Sequence, residues 1–174
     1  MKIVLTGPPG IGKTTIIKKL VKALGNRAVG FWTEEVRDQK TKERVGFKVV
    51  TTEGKSLIFA SKRYASKHLV GSYGVKVERF EDIVLPVLQK ALRENKLVVI
   101  DEVGKMELFS KPFKTIVREL VHDPKKSLML TIPIRDVDPL VGEIRRLVGA
   151  VIVEVTKDNR DSLPEDLLSL LDRM

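Results

Sequence analysis

The chain has 174 residues, 43% apolar and 32% charged, a length that suits one domain and a composition that supports a packed core and excludes wholesale disorder. With no cysteine and only two histidines, His68 and His122, it excludes disulfide scaffolds, thiolate metal sites and thiol catalysis, and a histidine-rich metal site is not expected. Lysine and arginine number 32 against 23 aspartate and glutamate, a net charge of +9.

Lys2 to Thr6 reads as a short buried strand running into Gly7-Pro8-Pro9-Gly10-Ile11-Gly12-Lys13-Thr14. That octapeptide fits G-x-x-x-x-G-K-[ST] at every fixed position. The next apolar residues, Ile16, Ile17, Leu20, Val21 and Leu24, keep the spacing of a helix buried on one face, and Gly25-Asn26 stops it. A strand leading in and an amphipathic helix leading out form the setting in which this motif cradles phosphate. Its glycines let successive N–H groups turn inward, and the helix adds the positive end of its dipole. Lys13 is then the residue to reach β- and γ-phosphates, the Thr14 hydroxyl a ligand for Mg²⁺, and Thr15 a contact for the α-phosphate.

From Ala28 to Phe59 the pattern turns strand-like, in runs 28–36, 45–51 and 55–59 separated by polar turns, which predicts an antiparallel hairpin or meander. Nine basic residues against three acidic ones lie between Arg37 and Lys67. One reading is a nucleic-acid footprint. A solvated face is favoured, because no stacking platform or recognition helix accompanies the charge. Residues 61–73 have no clear period and read as a loop. A short strand at 75–77 and a helix over 81–94 follow, with Pro86 in an early turn or at a kink.

The remainder alternates: strand 97–100, helix 112–121 capped by Ser110, strand 127–132, helix 139–147 capped by Asp138, strand 150–155, and helix 164–172 entered through a capping box, Ser162-x-x-Glu165. Strands separated by helices imply a parallel sheet. One α/β domain over residues 1–174, with a β-rich insertion after the first helix, is expected.

Val98-Val99-Ile100 is a buried strand that ends in Asp101-Glu102. The C-terminal end of such a strand lies at the ligand-binding edge of the sheet. Asp101 there can hold Mg²⁺, and Glu102 can orient and deprotonate an attacking water. Lys105 is a candidate second phosphate contact, Glu107 a support for the water or a helix cap, and Thr131 a sensor of the γ-phosphate. Among Arg135, Arg145 and Arg146 the first is the favoured stabiliser of transition-state charge, with surface salt bridges expected of the others. Asn159-Arg160-Asp161 follows the last strand, a place from which loops approach a base. Phe31 or Trp32 could stack on one, although core packing is the commoner fate of such aromatics.

Taken together, GPPGIGKTT at the start, GFWTEEVR at 30–37, VGFKVV at 45–50, VVIDEVGKMEL at 98–108 and NRD at 159–161 resemble the cancer-related nucleoside-triphosphatase family. The resemblance spans nearly the whole chain. It implies a three-layer P-loop NTPase with a mostly parallel central sheet of the RecA-like, additional-strand type, hydrolysing several nucleoside triphosphates with Mg²⁺ and little base selectivity. It carries the family's phosphate loop onto Gly7–Thr14 and its metal-site aspartate and catalytic glutamate onto Asp101 and Glu102. The rest of its second motif falls on Val98, Val99, Ile100, Val103, Gly104 and Lys105. Valine at 103 replaces a frequent isoleucine. A small-molecule or nucleotide kinase and a nucleic-acid-linked ATPase switch are the alternatives, and no arginine-rich lid speaks for the kinase. The longest apolar runs, four or five residues, fall short of the roughly 20 that span a bilayer. The first ten residues lack the apolar centre of a signal peptide. A cytoplasmic protein with no membrane partner, monomeric by slight preference, is expected.

Overall fold

The computed structural model describes residues 1–173. Among them nine strands form one sheet. They are β1 (Lys2–Thr6), β2 (Ala28–Arg37), β3 (Arg44–Thr51), β4 (Ser56–Ser61), β5 (Leu69–Val70), β6 (Tyr73–Val75), β7 (Leu97–Ile100), β8 (Leu128–Ile132) and β9 (Val151–Glu154). The helices are α1 (Lys13–Leu24), α2 (Val77–Arg93), α3 (Lys111–His122), α4 (Pro139–Arg145) and α5 (Leu163–Asp172).

The sheet order is β5-β6-β4-β3-β2-β7-β8-β1-β9. From β2 to β9 the neighbours are parallel, and β8 intervenes between β1, which feeds the glycine loop, and β7, which feeds the two carboxylates. This is the additional-strand arrangement. The insertion is antiparallel as expected, but it builds no sheet of its own. β2 is parallel to β7 over Ala28–Phe31 and then runs on to Arg37 as the first strand of the meander, so the whole sheet is mixed.

Period-two alternation divides the buried strands between two cores. Ile3, Leu5, Leu97, Val99 and Met129 face α1 and α5. Val4, Val98, Ile100, Leu128, Leu130 and Ile132 face α2, α3 and α4. Close approach of β2 to β7 requires glycine at position 30, where a Cβ would stand 1.9 Å from the Val99 carbonyl oxygen.

Local chemistry explains most element ends. Ser110 accepts a hydrogen bond from the Phe113 N–H (3.2 Å) and Asp138 from the Leu140 N–H (2.8 Å), as their positions led one to expect. The capping box at Ser162 does not form. Ser162 is itself helical (φ −90°, ψ −21°) and its hydroxyl donates to the Asn159 carbonyl, which also accepts the Leu163 N–H. The turn before the helix thus does the work assigned to the box. α2 starts four residues earlier than read, because the Lys76 carbonyl accepts from the Arg79 and Phe80 N–H groups, and Pro86 lies inside it. The stretch 61–73, read as a loop, contains β5 and the start of β6.

Phe80 on α2 joins the insertion to the rest. Its ring lies 5.2 Å from Phe59, 5.7 Å from Phe31 and 5.2 Å from Phe113, centroid to centroid, and all four rings are fully buried. Phe80→Ala is expected to cost about 3–5 kcal/mol of stability, read as a lowered midpoint in denaturant unfolding.

Candidate functional site

β1, β7 and β8 all end on one edge of the sheet, and the loops leaving them meet there. Gly10 (φ 79°) and Gly12 (φ 117°) hold left-handed backbone in the loop after β1. Gly12, with no side chain to cap α1, leaves the first N–H groups of the helix free to face an anion. Lys13 is folded inward with 8% of its surface exposed. Its ammonium donates to the Gly7 carbonyl (2.7 Å) and the Ile132 carbonyl (3.4 Å) and pairs with Glu102 Oε2 at 3.2 Å.

Asp101, 1% exposed, is the hub. Oδ2 accepts from the Thr14 hydroxyl at 2.8 Å and Oδ1 from the Thr131 hydroxyl at 2.5 Å. Burial pushes its pKa up to about 6, against the pull of the hydroxyl bonds, and the charge of Glu102 adds to the rise. Oxygen donors from α1 and the end of β7 therefore stand side by side, hard ligands of the kind Mg²⁺ takes. Among the described residues no three His, Cys, Asp or Glu side chains cluster as a metal cage. Such a pair suits an ion that fills its shell from water and substrate phosphate.

Glu102 and Glu107 converge on Gly104. A Cβ at Gly104 would lie 2.5 Å from Glu102 Oε1 and 2.8 Å from Glu107 Oε1, so a side chain there would push the two carboxyl groups out of this arrangement. Glu107 is buried, and burial first, then the charges of Glu102 and Asp101, lifts its pKa well above the carboxylate range. It sits in the short 3₁₀ turn Glu107–Phe109 but reaches the site.

The structure brings Lys13, Thr14, Asp101, Glu102 and Gly104 together with Thr131, whose hydroxyl is spent on Asp101. Lys105 and Arg135 are exposed. Arg145, read as a surface residue, does pair with Asp136 at 2.9 Å, but its other nitrogens donate to the Pro133 carbonyl (2.6 Å) and to Thr6 Oγ1 (3.3 Å). It clamps the ends of β1 and β8 beside the glycine loop. Phe31 is core, and the Trp32 indole donates to Glu34 Oε1 (2.9 Å), so neither is placed to meet a base. Arg160 and Asp161, by contrast, border a cleft of about 310 Å³ along the outer side of the glycine loop.

Comparison with known proteins shows the family and the fold. The NTPase family profile matches residues 2–168. Nucleoside-triphosphatase THEP1 of Aquifex aeolicus is 60% identical over 99% of this chain and 100% of its own length. The human cancer-related nucleoside-triphosphatase is 39% identical over 96% and 94%. The crystal structure of the Aquifex THEP1 superposes with a TM-score of 0.93 at 58% identity over 98% of this chain and 99% of that one. The solution structure of the human protein gives 0.81 at 38% identity over 98% and 96%.

The buried Glu107 generates a prediction. Its raised pKa means that the folded state holds a proton the unfolded state releases above pH 4.5, so the stability it contributes declines as pH rises from there toward the folded value. Glu107→Gln removes that titration. Its melting temperature relative to wild type is expected to climb between pH 5 and pH 8, by several degrees for each 1.4 kcal/mol or so that one pKa unit represents. A constant difference across that range in thermal unfolding would contradict the assignment.

Proposed function

The chain belongs to the NTPase family, and we propose that it is a Mg²⁺-dependent nucleoside-triphosphatase, cleaving the terminal anhydride of ATP, GTP and other nucleoside triphosphates to the diphosphate and phosphate with little regard for the base. The observation that carries this reading is a double meeting at one sheet edge: the Thr14 hydroxyl 2.8 Å from Asp101 and the Lys13 ammonium 3.2 Å from Glu102. One residue of the glycine loop faces each acid.

In this reading the backbone amides of Gly7–Thr14 hold the phosphate tail, with Thr15 at the α-phosphate. Lys13 carries its charge to the β- and γ-phosphates from the Gly7 and Ile132 carbonyls that orient it. Thr14 and Asp101 are the residues that would hold Mg²⁺. The ion, when bound, supplies charge neutralisation for the phosphates. Glu102 takes a proton from the attacking water. The water oxygen bonds to the γ-phosphorus, the bond from that phosphorus to the β–γ bridging oxygen breaks, and the nucleoside diphosphate leaves with the bridging oxygen. Val98–Ile100 carry the acids to this edge, and Val103, Gly104 and Lys105 complete the turn around them. The loops that carry these groups leave adjacent strands of one continuous sheet, which supports a single domain over 1–174; a monomer is our reading of its working state.

Among the described residues no helix is long and apolar enough to cross a membrane, and we place the protein in the cytoplasm, where its substrates are made. Part of the basic segment is already consumed. Glu35 pairs with Arg37 and Arg44, and Glu34 with Lys48, which weakens the nucleic-acid reading.

The test is phosphate release from ATP, GTP, CTP and UTP with and without Mg²⁺. Glu102→Gln is expected to lose about 10²-fold or more in kcat while nucleotide affinity stays within about threefold, and Lys13→Ala to lose affinity itself. Unchanged turnover in Glu102→Gln removes that residue from the chemistry. Labelled γ-phosphate appearing on an acceptor instead of in solution assigns a kinase.

A further inference from the structure

We propose that Arg160 receives the nucleobase on the face of its guanidinium, so that the cleft beside the glycine loop reads the stacking face of a base and not its hydrogen-bonding edge. This rests on the triphosphatase reading and adds to it the residue that sets base specificity.

The cleft, about 310 Å³, falls at the small end of the range for nucleoside-sized ligands. Thr15 lies on its wall, so a phosphate tail running outward from Lys13 past Thr15 delivers the nucleoside into it. The loop at Gly10–Gly12 lines it together with Arg160 and Asp161, and Arg160 lies against that loop.

Arg160 is held in place from both ends. The turn that carries it is closed by Asn159, whose side chain accepts from the Thr156 N–H (2.8 Å) and donates to the Glu154 carbonyl (2.8 Å), tying it to the end of β9. The Asn159 carbonyl accepts from the first residue of α5. At the tip, Arg160 Nη1 donates to the Ile11 carbonyl at 3.3 Å, and its Cδ passes 3.7 Å from the position a Cβ on Gly12 would take. The guanidinium makes no ion pair among the described residues, although Asp161 is its neighbour, so its plane is not committed to a carboxylate.

A guanidinium stacks on any aromatic face, and every base has one. Edge recognition needs rigid donors and acceptors. The other polar side chains of the cleft, Thr15, Lys19 and Asp161, are solvent-exposed and lack that rigidity. Purines and pyrimidines are therefore accepted alike.

The experiment separates base from tail. Calorimetric titration of wild type, Arg160→Ala and Arg160→Lys uses non-hydrolysable analogues of ATP and CTP, and inorganic tripolyphosphate as a base-free probe, all with Mg²⁺. Arg160→Ala is expected to weaken both analogues about tenfold or more and to leave tripolyphosphate within about twofold. Arg160→Lys, with the charge but not the plane, restores less than half of that loss on a logarithmic scale. The inference is overturned by unaltered analogue affinity in Arg160→Ala, by an equal loss for tripolyphosphate, which makes the residue a brace or phosphate contact, or by full rescue with lysine. A thermal unfolding midpoint shared with wild type shows that each variant is folded. Binding is read without turnover, so a protein that grips nucleotides but hydrolyses none ends the triphosphatase reading and leaves this one standing.

Discussion

A carboxylate that is almost completely out of water has to be supplied with hydrogen bonds or it will not stay charged, and Asp101 is where this protein meets that demand. The donors come from two other elements, the Thr14 hydroxyl on α1 and the Thr131 hydroxyl on β8, while the Asp101 backbone N–H donates to the Phe31 carbonyl of β2 at 3.2 Å. The hydroxyls offset only part of the burial, since the pKa still rests near 6. Each bond also fixes a distance between elements far apart in the chain. Satisfying one buried residue thus locks the glycine loop, the extra strand and the base of the insertion to the end of β7.

The strand order makes this possible. With β8 between β1 and β7, the residue at the end of β8 is the natural neighbour of both the glycine loop and the acids, and Thr131 and the Ile132 carbonyl serve Asp101 and Lys13 in turn. Beyond the parallel part of the sheet, β2 continues past the site. There Glu34, held by Lys18 of α1 at 2.8 Å and by Lys48 of β3 at 3.4 Å, ties the meander to the helix that carries Thr14. The insertion is therefore mechanically part of the site, although its far turns are solvated.

How much of this was legible in the amino-acid sequence follows from the range of the interactions. The glycine loop is local chemistry: eight consecutive residues contain the turn, the lysine and the hydroxyl, and a pattern suffices. The acids at the end of β7 are nearly as local, because an apolar run that stops at two carboxylates has few other uses. Arg145 was not legible in its role, since that role depends on a pairing across the sheet that one-dimensional spacing does not encode, whereas Glu107, close in sequence to the acids, was already a candidate beside the attacking water. Arg145 shows the difficulty well. Its predicted salt bridge is real, but the carbonyl of Pro133 and the hydroxyl of Thr6 come near only once β1 and β8 lie side by side. The capping box failed for the opposite reason. Its spacing was right, but Ser162 is itself helical and its hydroxyl donates back to the Asn159 carbonyl, so its oxygen caps no N–H of the helix.

On the proposed reading the two halves of the site use different physics, and this bears on what the protein can discriminate. At the proposed phosphate end the partners are backbone amides, a buried lysine and a tied aspartate, all positioned before any ligand arrives and so costing little to order. At the outer end the groups are long or exposed side chains, one of them anchored. Affinity under such a division comes chiefly from the tail, which every nucleoside triphosphate shares, and it is helped by a net charge of +9 that attracts polyanions from a distance. Strong selection among bases would require buried polar groups left unpaired by the wrong base. The polar side chains of the cleft are exposed ones and one tethered guanidinium, so on the proposed reading breadth toward the base and rigidity toward the phosphates are consequences of the same fold.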